Sequence, residues 1–122
     1  MSPGELIDKI SILELKLQEF TDVHKIENVK SELEFLDRIL KSELQESEAL
    51  IALHTELRSV NKSIWDSEND VREYWDDEKR FNEAARNSHY KNDERARLKR
   101  EINDLLGSKI IEEKSHPKYE HH

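Results

Sequence analysis

The sequence predicts an all-α protein, a long antiparallel helical hairpin with an additional N-terminal helix in a coiled-coil-like bundle. Apolar residues recur every three or four positions along most of the chain, which is the spacing of one helix face. Two glycines and two prolines in 122 residues leave little turn chemistry, so long elements are expected. Charged residues make up 39% and hydrophobic residues 34%, a balance typical of amphipathic helices with a solvated face.

The first helix is predicted to begin in the segment "SPGEL". Ser2 is a capping residue, Pro3 suits the first helical position, and Glu5 completes a capping box. In "TDVHK" the helix is expected to break, with Thr21 or Asp22 as the next cap. The apolar stripe between these points is broad enough to contact more than one neighbouring helix, and it comprises Leu6, Ile7, Ile10, Ile12, Leu13, Leu15, Leu17 and Phe20.

The second helix is predicted from apolar positions between Ile26 and Leu44. Its signal thins over residues 42–48, where Ser42 or Ser47 could cap a restart. Because no glycine or proline enforces a break there, we favour one long irregular helix, and a kink is the alternative. Residues 47–79 are expected to form an unbroken rod on the order of 50 Å long. Its heptad seam is Leu50, Leu53, Leu57, Val60, Ile64, Ser67, Val71 and Tyr74.

A turn near residues 77–81 should lead into a last helix that runs from about Phe81 to Leu106 and stops at Gly107. Residues 1–115 are expected to form one helical domain, in which Ile110 and Ile111 dock as a short strand or helical turn. Residues 116–122 read as a tail that includes a purification-tag remnant. The inward positions of the last helix are apolar at both ends and polar in the middle: Phe81, Ala84 or Ala85, Ser88, Asn92, Arg95, Leu98, Ile102 and Leu105.

The polar middle of this helix is predicted to face the polar layer at Ser67. An antiparallel turn near residues 77–81 places 67 opposite about 91 and 61 opposite about 97, so Arg95 should meet Glu68 or Asp70. We favour a hydrogen-bond network that fixes helix register. The sharper alternative is a pocket for a protein partner or a small anionic ligand, with Trp65 and Trp75 as apolar walls. The third is a solvated zone. The predicted ligand- or partner-binding residues are Asn61, Trp65, Glu68, Asn92, Asp93, Arg95 and Lys99.

The leading function is therefore a non-enzymatic interaction or assembly module, for which we expect no catalytic residue, metal ion or cofactor. The alternative is a magnesium-dependent nucleotide pyrophosphohydrolase of the MazG type, which holds its metal between two pairs of carboxylates on helices. Glu43 with Glu46 and Glu73 with Asp76 have the required spacing. A helix between the two pairs would hold them about 45 Å apart, and "LHTELRSVNKSI" offers no strong turn at which they could meet.

Composition limits the partners and the compartment. A formal net charge of −8 argues against general nucleic-acid binding through phosphates. The absence of cysteine excludes disulfides and thiolate chemistry, and no apolar run is long enough to span a bilayer. We expect a cytoplasmic protein. A homodimer is expected because the broad first stripe and the long seam expose more apolar surface than one thin bundle covers.

Several segments resemble a family of short, stand-alone bacterial and phage proteins whose helical domain has no assigned function. The resemblance rests on the start "SPGEL", on Asn61 four residues before Trp65, on an Asn-Asp-x-Arg box at residues 92–95, and on an ending with Gly107, Ser108, Glu112, Glu113 and Lys114. It covers nearly the whole chain, and it implies a helical fold without implying an activity. Relatives carry a few more residues before the first segment, which leaves open whether an N-terminal strand is missing.

Overall fold

The protein is an all-α bundle, as the sequence predicts. The computed structural model describes residues 1–107, which contain four helices: α1 (Pro3–Glu19), α2 (Val23–Glu43), α3 (Glu48–Glu73) and α4 (Glu78–Leu106). Within these residues no helix is both long and apolar enough to cross a membrane. The predicted docking of Ile110 and Ile111, the domain boundary at 115 and the tail over 116–122 all lie outside the described residues.

Each helix begins at a polar side chain that accepts a hydrogen bond from a free backbone N–H of the first turn. Gly107 ends α4 with φ +73°, a left-handed conformation that glycine adopts without a steric penalty. The local chain chemistry therefore sets most of the boundaries. The four N-cap distances are 3.2 Å for Ser2 Oγ to Glu5 N, 3.0 Å for Asp22 Oδ1 to Lys25 N, 3.1 Å for Ser47 Oγ to Leu50 N, and 3.1 Å for Asp77 Oδ1 to Arg80 N.

The expectation of one continuous helix through residues 42–48 is wrong. Helix α2 ends at Glu43, Leu44 is extended with φ −123° and ψ 137°, and Ser47 caps a new helix. The physical reason is tertiary: α2 and α3 both contact α1. A straight helix would carry the α3 seam away from α1 and leave it in solvent, so the chain reverses direction even without a glycine or proline.

Helix α1 lies at the centre of the bundle, because it has substantial contact with each of the other three helices within residues 1–107. One of its faces packs on α2, and this cluster has the buried members Leu6, Ile10, Leu13, Val29 and Leu36. Another face packs in the groove of the α3–α4 hairpin, where the buried members are Ile7, Leu50, Leu57, Val60, Leu98 and Ile102. The broad apolar stripe of α1 therefore packs into two hydrophobic clusters, as its width predicts.

The antiparallel hairpin of α3 and α4 is confirmed, but its turn comes earlier than predicted. The helix ends at Glu73, and Asp77 N donates to Tyr74 O at 2.9 Å across the turn. Asn87 therefore hydrogen-bonds to Ser67, and Ser88 to Glu68. The predicted register of 67 opposite 91 is wrong by four residues. The early turn follows from Asp77, whose side chain caps α4 before Phe81 is reached.

The N-terminus of α1 approaches the backbone of α4 closely at Gly4. Gly4 N donates to Asn103 Oδ1 at 2.7 Å, which satisfies one of the free N–H groups of the first turn. A Cβ at this position would meet the carbonyl oxygen of Lys99 at less than contact distance, and Asn103 Oδ1 as well. The glycine in "SPGEL" is therefore explained by the helix crossing rather than by backbone conformation.

We expect Gly4→Ala to destabilise the protein by roughly 1–3 kcal/mol, because the new methyl group overlaps backbone atoms that cannot rotate away. At a solvated helix position the same substitution would stabilise by about 1 kcal/mol. Urea unfolding followed by circular dichroism measures the change. Lys9→Ala, at an exposed position of the same helix, serves as the control and should stay within about 0.5 kcal/mol of the parent. A Gly4→Ala variant as stable as the parent would contradict the close approach.

Candidate functional site

The polar zone of the protein is centred on Asp8 of α1, whose exposed fraction is only 2%. Arg95 of α4 binds this carboxylate through two hydrogen bonds, Nε to Oδ1 at 3.0 Å and Nη2 to Oδ2 at 2.6 Å. Asn61 Nδ2 of α3 donates to Asp8 Oδ1 at 3.0 Å and to Ser11 Oγ at 2.7 Å. Ser11 Oγ in turn donates to the backbone oxygen of Asp8 at 2.8 Å. Four side chains thus link three helices.

This network offsets the cost of burying a carboxylate. Two-point binding by a guanidinium is the strongest ion-pair geometry available, and additional donors satisfy the remaining lone pairs. The hydrogen bond to Asp8 raises the pKa of Arg95 and outweighs the opposing effect of burial, with a further contribution from the charges of Asp8 and Glu5. Within residues 1–107 every buried side-chain nitrogen and oxygen has a hydrogen-bond partner. The network is therefore complete without a ligand.

Sequence reasoning found Arg95 and Asn61 but gave them the wrong partners. Arg95 was expected to meet Glu68 or Asp70 and instead binds Asp8, because the earlier turn changes the register and α1 fills the groove between α3 and α4. Asp8 and Ser11 were missed as site residues. A signal for them exists in the sequence, since they lie three residues apart within the apolar run of α1, at "LIDKISIL". Polar residues at such positions need a partner on a neighbouring helix.

The other predicted residues lie around this network rather than in it. Lys99, expected near Asn61, instead pairs with Glu5 at 2.6 Å. Asn92 donates to the backbone oxygen of Ser88 in its own helix at 3.0 Å. Asp93 is exposed and takes no part in the network.

Beside the network, a pocket of about 250 Å³ opens between α1 and the hairpin. Ile12 and Leu15 of α1 and Ile64 of α3 supply its apolar lining, and Arg95 closes one side. The polar part comes from Glu68, Asn69 and Arg72, which follow one another along α3, and from Asn61 of the network. Four of the seven predicted binding residues therefore line one pocket: Asn61, Trp65, Glu68 and Arg95.

The two tryptophans have different environments. Trp65 lines the pocket and packs against Phe20 of the α1–α2 link, with ring centroids 6.2 Å apart. Trp75 is 71% exposed in the α3–α4 turn, where it contacts Phe81 edge-on at 5.3 Å. The prediction that Trp75 forms a second wall is wrong, because the helix that was expected to carry it inward ends at Glu73.

The charged side chains of the pocket are held by separate neighbours. Glu68 Oε1 accepts a hydrogen bond from Ser88 Oγ at 2.8 Å, and Ser88 is buried against α3. Arg72 Nη1 donates to Asn69 Oδ1 at 3.0 Å. Glu68 and Arg72 are four residues apart and lie on one helix face, yet each is oriented by a different group. Two arginines and one glutamate thus line the same pocket.

A second polar contact fixes α1 to α3 away from the pocket. His54 Nε2 lies 2.7 Å from Glu14 Oε1, and Arg58 Nε lies 3.6 Å from the same oxygen. Burial by itself would raise the pKa of Glu14, but the hydrogen bond and charge of His54, together with the charge of Arg58, lower the pKa below its usual value. The folded protein therefore favours the ionised form of Glu14.

The two carboxylate pairs of the enzyme alternative lie at opposite ends of α3. Glu43 ends α2 and Glu46 lies in the link before α3, whereas Glu73 ends α3 and Asp76 lies in the following turn. The intervening helix is about 39 Å long at 1.5 Å per residue, so the two pairs do not share a cation within one chain. Within residues 1–107 no group of three or more histidine, aspartate or glutamate side chains is arranged to hold a metal ion.

No protein-family model, curated protein or solved structure matches this chain. The resemblance to the bacterial and phage family, which rests on residues such as Asn61, Trp65 and Arg95, stays a prediction.

We expect Arg95→Ala to destabilise the protein by about 3–5 kcal/mol, because it leaves the carboxylate of Asp8 buried without a compensating charge. Asp8→Asn should cost less, since Arg95 is 31% exposed and can reach water. Urea unfolding of both single variants and the double variant gives the coupling energy of the pair. As the control, Arg97→Ala removes an exposed pair and should cost less than about 1 kcal/mol. Equal effects of Arg95→Ala and Arg97→Ala would contradict the role assigned to Asp8.

We also expect the contribution of Glu14 to stability to disappear in acid. Because the folded-state pKa of Glu14 is lowered, its contribution is complete above the unfolded-state pKa and is lost as the pH falls through the folded-state value. The free energy of unfolding of Glu14→Gln should therefore lie below that of the parent at about pH 5 and approach it below about pH 4. In a His54→Asn background the gap at pH 5 should shrink. A gap independent of pH across this range would refute the assignment.

Proposed function

We propose that this protein is a non-enzymatic binding module and that it takes a small ligand bearing a carboxylate in the pocket beside Arg95. The observation that carries the proposal is the pairing of a guanidinium fixed in position with an indole wall in one pocket of about 250 Å³. Ligand sites are typically apolar concavities with a few well-placed polar groups. This pocket has that composition, and its size suits a metabolite smaller than most drug-like molecules.

Preorganisation of Arg95 supports this use of the pocket. Asp8 occupies Nε and one hydrogen of Nη2, which leaves three of the five N–H donors of the guanidinium unused by that carboxylate. Because Asp8 already holds the plane of the group, a ligand would not have to order the long side chain itself. Fixed donors of this kind reduce the entropy lost on binding.

Arg72 supplies a second guanidinium that is independent of the structural network. Its side chain is exposed, lines the pocket and donates a hydrogen bond to Asn69. A ligand carboxylate between Arg72 and Arg95 would receive charge-assisted hydrogen bonds from both. We therefore expect a substitution of Arg72 to change ligand binding without changing the stability of the fold.

The experiment uses the fluorescence of Trp65 in a Trp75→Phe background, in which Trp65 is the remaining tryptophan. Titrations with sodium 4-methylpentanoate, sodium phenylacetate and L-leucine test three small carboxylates of different shape. We expect a saturable change in emission with at least one of them, with Kd between roughly 0.1 and 10 mM for ligands of this size. Arg72→Ala should weaken binding by about tenfold or more while leaving the circular dichroism and thermal unfolding unchanged.

Arg97→Ala is the matched control, because Arg97 is an exposed arginine of α4 that pairs with Glu101 and does not line the pocket. The proposal fails if none of the three carboxylates produces a saturable signal. It also fails if Arg97→Ala weakens binding as much as Arg72→Ala, because the effect would then reflect general charge.

We also propose that the protein forms a homodimer, which exposed apolar surface supports. Sedimentation at micromolar concentration tests this directly, and a monomer would refute it. The expected protein partner, the coiled-coil character of the bundle and the cytoplasmic location stay predictions. The large apolar side chains that are at least 45% exposed within residues 1–107 are Val23, Phe35, Ile51, Trp75, Tyr90 and Leu105.

A further inference from the structure

We propose that the ligand carries an ammonium group next to its carboxylate, so that the pocket takes an α-amino acid with an apolar side chain. This inference rests on the proposed function and names the class of ligand for the same pocket. It depends on three features of the pocket: the balance of charge, the separate anchoring of Glu68 and Arg72, and the apolar lining.

The balance of charge favours a ligand without net charge. Two arginines, Arg72 and Arg95, line the pocket together with one glutamate, Glu68. The carboxylate of Asp8 adds a second negative charge, because it binds Arg95 through both of its oxygens. The four charges sum to zero, and the whole chain carries a formal charge of −8. A simple anion would meet no surplus of positive charge here, whereas a zwitterion adds none.

Because Glu68 and Arg72 are held by separate neighbours, each can contact a ligand group of opposite charge. Opposite charges four residues apart on a helix ordinarily pair with each other. Here Ser88 of α4 holds Glu68, and Asn69 holds Arg72, so each group is oriented by its own neighbour. Ser88 donates to one oxygen of Glu68, and the other oxygen is available as an acceptor. An ammonium group would bind at Glu68, and the adjoining carboxylate at Arg72 and Arg95.

The apolar lining of the pocket indicates which side chain the ligand carries. Ile12 and Leu15 come from α1, and Ile64 and the Trp65 ring come from α3, so this wall spans both helices. A branched or linear apolar side chain of about the size of leucine would bury its surface against them. The nearby indole face also favours an ammonium group through its quadrupole.

Three compounds that share the apolar side chain of leucine separate the contributions of the two charged groups to binding. L-Leucine carries both charged groups, 4-methylpentanoate lacks the ammonium group, and 3-methylbutylamine lacks the carboxylate. Isothermal titration calorimetry and Trp65 emission in the Trp75→Phe protein should give a Kd for L-leucine at least about tenfold lower than for either relative. Glu68→Gln should weaken L-leucine binding by about five- to tenfold and should not weaken 4-methylpentanoate binding, because the amide oxygen still accepts from Ser88 but no longer attracts an ammonium group or repels a carboxylate.

Glu56→Gln is the matched control, since Glu56 is an exposed glutamate of α3 that pairs with Arg97 and does not line the pocket. Equal affinity for L-leucine and 4-methylpentanoate, with no effect of Glu68→Gln, would overturn the inference and leave the carboxylate-binding function in place. Absence of binding by all the carboxylates would instead overturn the proposed function, and the inference with it.

Discussion

The buried ion pair between Asp8 and Arg95 is the contact on which the arrangement of the helices depends. A carboxylate that is 2% exposed is unfavourable in a helical core unless its charge and lone pairs are satisfied. Arg95 supplies the opposite charge through two hydrogen bonds, one to each oxygen of the carboxylate. Asn61 donates a further hydrogen bond to Oδ1 of Asp8. Because these groups belong to α1, α3 and α4, the complete network can form only when all three helices have one relative position.

This requirement gives the apolar packing a defined register. The apolar part of the interface between α1 and the hairpin consists of aliphatic side chains, which tolerate sliding along and around the helices. A shift of one helical turn would separate Asp8 from Arg95. It would also move Gly4 away from Lys99, where the close approach of the backbone leaves no room for a Cβ. Polar and steric constraints at both ends of the interface thus select one arrangement from several of similar apolar burial.

The same network also explains why a pocket lies beside it. Arg95 binds Asp8 in the network and also lines the pocket, so the contact that fixes the helices also fixes an arginine beside the pocket. Glu68, Asn69 and Arg72 continue the polar surface along α3 outside the core. Neighbouring residues therefore have different surroundings: Asp8 and Asn61 are buried between the helices, whereas Glu68 and Arg72 are exposed on α3.

The sequence by itself determined the helical class, the α3–α4 hairpin, the caps at Ser2 and Gly107, and the broad stripe of α1, because these follow from local periodicity and capping chemistry. It also singled out Asn61, Trp65, Glu68 and Arg95, four residues that line one pocket. Only the tertiary structure decided the break before Ser47, the turn ending at Asp77 and the partner of Arg95. A turn without glycine is poorly located by sequence, and here the register between the two helices differs from the prediction by four residues. Such a change alters which residues meet across the hairpin and leaves the periodicity of each helix unaltered. Asp8 is 87 residues from Arg95 in the chain, and spacing along a sequence contains no information about which distant helix fills a groove.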